Sequence, residues 1–263
     1  MPYRLAAIDL DQTLLDSRNR VGEADARALR ALAETGVIIA AATARWHTAA
    51  RWPLEQLGID AATIACGGAD VRLGDGAIVE QTPLPPEFVP FIAALCDRAG
   101  WVVSLSTPGV TYRRERELPA WAANAPAGLV PVTHLREADL TGLLTVLAHV
   151  DEGDPHLAEL APWAGRVRVH NAVAFDGSGM ITVTAAGIDK GTALVALCGA
   201  LGLDPAEAVA FGDSEVDIPM FEAAGLAVAM GNATAPVRAA AAMVTATADE
   251  GGVAQAIRRI WGC

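Results

Sequence analysis

Basic residues are scarce in this 263-residue chain. Nineteen lysines and arginines stand against 31 aspartates and glutamates, a formal net charge of −12. With no basic stripe, nucleic acid and anionic membrane surfaces are poor partners. Long apolar runs are missing too. Hydrophobic residues make up 52% of the chain, much of it alanine, yet stretches such as Gly36–Ala44 and Ala193–Leu203 are too short to span a bilayer. Cys66, Cys96, Cys198 and Cys263 lie far apart with no Cys-x-x-Cys pair, which suits reduced thiols better than a disulfide frame or a zinc site. No charged segment leads into an apolar run and a small-residue cleavage site. The expected setting is cytoplasmic and the expected partner a small molecule. An anionic substrate would need a local cluster of positive charge, or a metal ion, to overcome the overall field.

What is present is an alternation of short apolar runs and helical stretches. Arg4–Leu10 reads as a buried strand ending in Asp-Leu-Asp. Glu23–Thr35 has apolar residues at helical spacing and stops at Gly36. Val37–Thr43 is almost wholly apolar, as a parallel strand covered on both faces should be. A helix then runs to Leu57-Gly58, and Thr63–Cys66 is a third strand. This rhythm predicts βαβ units and a doubly wound parallel sheet, a Rossmann-like α/β core. It breaks near residue 70, where Val71–Glu80 reads as a hairpin around Gly74-Asp75-Gly76.

Residues 83–185 mix proline, tryptophan and short alternating segments, and are expected to form an inserted α+β domain. Its strand candidates are Trp101–Leu105, Leu144–Val150, Val167–His170 and Met180–Thr184, with helices around Glu87–Cys96 and Pro155–Leu160. The α/β rhythm returns over 186–263, so the core domain is expected to comprise 1–82 and 186–263. There Thr192–Leu201 is a helix and Asp204-Pro205 opens another. Strands follow at Val209–Gly212, Leu226–Met230 and Met243–Thr245, and Val253–Ile260 is a closing helix.

Four segments carry chemistry. Asp9 and Asp11 sit at the carboxyl end of the first strand, where open parallel sheets bind ligands. Thr43-Ala44-Arg45 ends the second strand, offering a hydroxyl and a planar donor fork to a phosphate, or alternatively a cap for the next helix. Lys190 opens a helix, where the dipole disfavours a cation. It therefore needs an anionic partner, either Asp189 or a bound phosphate. Asp213 and Asp217 follow the strand Val209–Phe211. Carboxylates, a hydroxyl and one lysine gathered at strand ends form a coherent site for a hard cation such as magnesium and a phosphate.

In these motifs the sequence resembles the haloacid dehalogenase (HAD) superfamily, and within it the Cof-type phosphatases with an inserted cap. Asp217-Ile218-Pro219-Met220-Phe221, Ala227–Ala233 and Glu250-Gly251-Gly252-Val253-Ala254 extend the likeness. The resemblance implies a HAD core with an α+β cap and a magnesium-dependent phosphomonoester hydrolase acting on a small phosphorylated metabolite of the sugar phosphate kind. It implies Asp9 as nucleophile, forming an aspartyl-phosphate, and Asp11 as general acid and base. Thr43, Ala44, Arg45 and Lys190 would bind the phosphoryl group. Asp9, Asp213 and the backbone carbonyl of Asp11 would hold Mg2+, with Asp217 as a ligand or just behind them. The cap would supply specificity residues, with Arg113, Arg114, Arg168, His170 and Asn171 as candidates.

Three positions depart from the Cof pattern. Val216 and Gly67 stand where asparagines are expected, and Ala44 where glycine is usual. Losing one hydrogen bond to a charged group costs about 1.5–3 kcal/mol, a slowdown rather than an abolition. Two other classes share the motifs: a sugar-phosphate phosphomutase, and a phosphate-ligand-binding relative with little turnover.

Overall fold

The computed structural model describes residues 3–114, 126–151, 153–173 and 178–263. They divide into two compact units, one formed by Met1–Glu80 with Asp189–Cys263 and the other by Gln81–Ile188. The first unit opens with β1 (Leu5–Asp9), α1 (Glu23–Glu34), β2 (Ile38–Ala42), α2 (His47–Glu55), β3 (Ala62–Ala65), β4 (Asp70–Arg72) and β5 (Ile78–Gln81). The second contains α3 (Phe88–Ala99), β6 (Val102–Ser106), β7 (Thr111–Arg114), β8 (Leu129–Val132), β9 (Thr145–His149), β10 (Val167–Val173) and β11 (Gly179–Ala185). The chain returns to the first unit with α4 (Lys190–Leu201), β12 (Ala208–Gly212), α5 (Ile218–Ala223), β13 (Leu226–Ala229), α6 (Ala235–Ala240), β14 (Met243–Val244) and α7 (Gly252–Trp261).

The first unit is a three-layer α/β fold. Its sheet has the order β14-β13-β12-β1-β2-β3-β4-β5. The six strands from β14 to β3 are parallel, and β4 turns back antiparallel to β3. Every residue of β1 is buried, because helices cover both faces, and this is why the strands read as unbroken apolar runs. Alternate residues serve alternate layers. Ala6 and Ile8 pack with Leu29 and Leu32 of α1 and Val253 and Ile257 of α7. Leu5 and Ala7 pack with Leu194 and Leu197 of α4 and Met220 and Phe221 of α5. Each fully buried leucine contributes about 1.5–3 kcal/mol. The alanines of β2 bring the covering helices close.

One polar contact ties two of these helices together. Asp25 of α1 is fully buried and accepts a hydrogen bond of 2.7 Å from the Ala254 amide in the first turn of α7. Its other oxygen finds no partner among the described residues. Burial pushes the Asp25 carboxyl up to about 6, against the pull of the Ala254 amide and Arg258.

The strand order places the site. From β1 the chain runs through β2 and β3 on one side and returns to β12 on the other. A crevice therefore opens at the carboxyl end of β1, between the loops after β2 and β12, as the switch-point rule requires. Asp9 closes β1 in register with Ala42 of β2, and Ile8 pairs with Phe211 of β12.

The second unit is built on a sheet of order β10-β11-β9-β6-β7-β8, antiparallel except for the β7–β8 pair. Phe88, Ile92 and Leu95 of α3 pack on Val103, Leu105, Val146 and Ile181. Local structure departs from the sequence reading in several places, among them the short helices α5 and α6, which that reading does not anticipate. Pro155–Trp163 is a run of 3-10 turns rather than an α-helix, entered through Asp154, which accepts from the His156 amide, and containing Pro162. The helix expected after Asp204 is a single turn, Pro205–Glu207, because Ala208 is already in register with Leu5 of β1. Strands β7 and β8 escape the sequence reading. Thr-Tyr-Arg-Arg and Leu-Val-Pro-Val lack clean alternation, and β8 lies at a sheet edge that tolerates Pro131. Among the described residues no helix is long and apolar enough to cross a membrane.

Candidate active site

Three strand ends (β1, β2 and β12) and one helix start (α4) converge in the first unit. Asp9, the last residue of β1, is only 5% exposed. Its Oδ1 accepts a hydrogen bond of 2.6 Å from Lys190 Nζ. The same ammonium donates to Asp217 Oδ1, also at 2.6 Å. The anionic partner that Lys190 requires is therefore this pair of carboxylates. Asp189 instead caps α4, accepting from the amides of Gly191 and Thr192.

Two glycines make the arrangement possible by close approach. A Cβ on Gly191 would lie 2.3 Å from the Pro219 carbonyl oxygen, so only glycine lets the first turn of α4 touch α5. A Cβ on Gly212 would lie 2.5 Å from the Asp217 Cβ. Asp217 can thus fold back against the end of β12. There its Oδ2 accepts from the amides of Asp213 and Ser214, both at 3.1 Å, and from Ser214 Oγ at 3.2 Å. Both oxygens of Asp217 are committed inside the protein, and the residue is fully buried.

Asp213 begins the loop after β12 and accepts from Thr13 Oγ1 at 3.1 Å. Asp9, Asp213 and Asp217 each offer a carboxylate oxygen, and the three lie within 4.8 Å of one another. Three carboxylates thus face one ammonium in a buried space. Burial first, and then Asp217 and other carboxylates against the pull of Lys190, raises the Asp9 carboxyl well above its ordinary range. Burial and the Asp217 charge push Asp213 up to about 7. Burial works against the Lys190 charge, but Asp217 and Asp9 more than offset it and hold the ammonium above its usual range. An under-neutralised set of oxygen donors is the chemistry a hard divalent cation fits.

Thr43 follows β2 and is buried. It does not cap α2, whose start at Trp46 has no side-chain cap. Its Oγ1 accepts from the Arg45 amide at 3.2 Å, which leaves the hydroxyl proton free to donate. Ala44 is half-buried beside it. Arg45 turns its fork to Asp11: Nε donates to Oδ2 at 3.1 Å and Nη2 to Oδ1. Its charge, opposed by burial, is held by Asp11. Asn19, which the sequence reading does not single out, accepts from Arg45 Nη2 at 2.8 Å.

The two replaced asparagines differ in kind. Gly67 has φ +67°, a left-handed conformation that asparagine and glycine both tolerate. Val216 lies half-buried in the single turn Glu215–Asp217. In the second unit, Arg114 pairs with Asp97 at 3.1 Å and donates to the Trp101 carbonyl, while Arg113 donates to Ser104. Arg168 and His170 share one face of β10, in register with Thr184 and Thr182 of β11, with Asn171 on the other face.

Comparison with known proteins accords with this architecture. The model of the haloacid dehalogenase-like hydrolases matches residues 6–257. An HMP-PP phosphatase of Serratia proteamaculans is 32% identical over 246 residues, covering 88% of this chain and 85% of that protein. A 5-amino-6-(5-phospho-D-ribitylamino)uracil phosphatase of Bacillus subtilis is 28% identical over 255 residues, covering 97% and 94%. Among solved structures, a haloacid dehalogenase-like hydrolase from Bacteroides thetaiotaomicron superposes with a TM-score of 0.85 at 26% identity, covering 98% of this chain and 99% of that one.

Proposed function

The chain belongs to the haloacid dehalogenase-like hydrolase family, and we propose that it is a cytoplasmic, magnesium-dependent phosphomonoesterase working through an aspartyl-phosphate. The observation that carries this reading is the single ammonium of Lys190 held between Asp9 and Asp217. A carboxylate attacks a phosphate dianion poorly unless fixed positive charge lowers the repulsion. Here that charge is built in beside the attacking group.

In the first step an Asp9 oxygen forms a bond to phosphorus while the ester P–O bond breaks. Asp11 gives its proton to the departing oxygen. In the second step Asp11 takes a proton from water, whose oxygen attacks phosphorus, and the Asp9–phosphorus bond breaks to free inorganic phosphate. Thr43 donates its hydroxyl and Lys190 its ammonium to phosphoryl oxygens. Asp217 orients Lys190, since both its own oxygens are already engaged. Asp9 and Asp213, with the backbone carbonyl of Asp11, would hold magnesium. Bound there, magnesium would neutralise developing phosphoryl charge. The remaining work is positioning and electrostatics.

The substrate we propose is a small phosphorylated metabolite of the sugar phosphate kind. The substrate in the name of the Bacillus subtilis relative carries its phosphate on a ribityl chain, which supports that class. The test is release of inorganic phosphate from a panel of phosphorylated sugars and sugar alcohols by purified protein, with and without magnesium. Magnesium-dependent release supports the reading. Isomer exchange without release would make the protein a mutase, and saturable binding without turnover would make it a phosphate-ligand-binding relative.

A further inference from the structure

The Nε–Nη2 edge of the Arg45 fork is filled. Its Nε and one Nη2 proton go to the two oxygens of Asp11, and Nη2 also donates to Asn19 Oδ1 at 2.8 Å. A guanidinium that has given this edge to a carboxylate cannot give the same edge to a phosphate. Two parallel hydrogen bonds fix the plane of a carboxyl group, whereas a point charge would fix only its distance. Asp11 benefits from such fixing, because it lies beyond the end of β1 with its side chain 38% exposed.

Asn19 completes the arrangement from the far side. It sits at φ +58° in the connection between β1 and α1. Asp16 builds that turn: its Oδ1 accepts from the amides of Arg18 and Arg20, both at 2.9 Å, and its carbonyl accepts from the Asn19 amide at 2.8 Å. The Ser17 amide donates to Asp249 at 2.8 Å, which anchors the turn to a loop 232 residues away. The turn delivers the Asn19 side-chain Oδ1 to the second Nη2 proton of Arg45, which Asp11 does not use.

We infer that Arg45 and Asn19 are positioning residues for Asp11: Asn19 orients the guanidinium, and the guanidinium orients the acid that protonates the leaving group. The inference rests on Asp11 being that acid. It assigns Arg45 to the leaving-group side of the reaction and not to the phosphoryl oxygens.

Positioning of a general acid has a signature that a structural role lacks. It matters for esters whose leaving alcohol is basic and hardly at all for activated aryl esters, which depart without a proton. The experiment measures kcat and KM of the magnesium-loaded enzyme on alkyl and nitrophenyl phosphates. Asn19→Gly keeps the left-handed backbone and removes the acceptor. It should lower kcat about three- to tenfold on alkyl esters, with smaller loss on the aryl ester and KM within about twofold. Asn19→Asp, which keeps an oxygen acceptor, should restore most of the rate. Arg45→Lys should show the same selectivity more strongly, and adding Asn19→Gly to it should cost nothing further, because both act through one contact. Equal losses on both ester types, or losses confined to KM, would overturn the inference and return Arg45 to the phosphate. Asp11→Asn is the control. If it shows no leaving-group selectivity, the assignment of Asp11 as the acid fails and the inference falls with it. If it does and Asn19→Gly does not, only the positioning role fails.

Discussion

Lys190 Nζ lies 2.6 Å from Asp9 Oδ1 although 181 residues separate the two in sequence. The contact joins the first strand of the core to the first residue of α4, just after the chain returns from the second unit, and it opposes the burial that raises the carboxyl proposed as nucleophile. Asp9→Asn keeps the shape and the acceptor for Lys190 while removing nucleophilicity. The variant should fold and lose turnover. More than a few per cent of wild-type phosphatase activity in a preparation checked for deamidation would refute the assignment.

Asp213 gives a test of the metal that does not depend on turnover. Its folded carboxyl is pushed up to about 7, against roughly 3.9 in an unfolded chain. Between those values the folded state holds a proton the unfolded state has released, so this group's contribution to stability falls as pH rises from about 4 to about 7. In chelator, Asp213→Asn should therefore be more stable than wild type above pH 7, by roughly 1–3 kcal/mol, and indistinguishable from it below about pH 4. Magnesium should raise the wild-type unfolding midpoint and leave the variant's unmoved. Calcium, larger and accepting more ligands, should bind and inhibit. A wild-type midpoint indifferent to magnesium would count against Asp213 as a ligand.

Val216 tests the loop that carries Asp213 and Asp217. If its side chain faces the phosphate, Val216→Asn restores a donor and should raise turnover of a generic small phosphate ester about tenfold. If the pocket has compensated through Ser214, the same change should instead lower activity on the true substrate. A variant equal to wild type on every ester would show that Val216 points away from the crevice.

Two groups in the core set opposite pH slopes. Asp25 is pushed up to about 6 by burial, so its contribution to stability is lost as pH rises from about 4 to 6. Burial, reinforced by Arg72, pushes His47 down to about 4 while its Nδ1 meets Thr63 Oγ1 at 2.9 Å. The unfolded chain takes up that proton first, so the His47 contribution is lost as pH falls from about 6.5 to 4. Thermal unfolding across pH should show Asp25→Asn gaining on wild type above pH 6 and matching it below 4. His47→Gln should gain below pH 4.5 and not above 6.5. Parallel curves for wild type and variants would refute both shifts.

Each chemical residue was legible because it follows a buried apolar run: Asp9 after Leu5–Ile8, Thr43 after β2, Asp213 after β12. What could not be read was which partners the side chains choose. A helix-start lysine needs an anion, but only the fold shows that Lys190 meets Asp9 and Asp217 while the adjacent Asp189 turns its Oδ1 to the amides of its own helix. From sequence, Arg45 is expected to serve a phosphate because it stands in Thr43-Ala44-Arg45 at a strand end. Its fork instead meets Asp11, and Asn19 gave no signal because an exposed asparagine in a turn is ordinary. Half-polar strands such as β7 stayed hidden because their neighbours, rather than their own alternation, place them in a sheet.

The pairing of β1 with β12 also has a consequence for how the protein is made. Ile8 is in register with Phe211, so some two hundred residues must be synthesised before one edge of β1 finds its neighbour. Until then a strand apolar up to Asp9 offers unpaired amides and carbonyls on that side, the kind of surface that templates aggregation. A nascent or truncated chain ending before Ala208 would carry Asp9 and Lys190 without Asp213 and Asp217, beside a strand open to other chains. The remaining carboxylates of the site and the partner that protects that edge arrive together, with the last fifth of the chain.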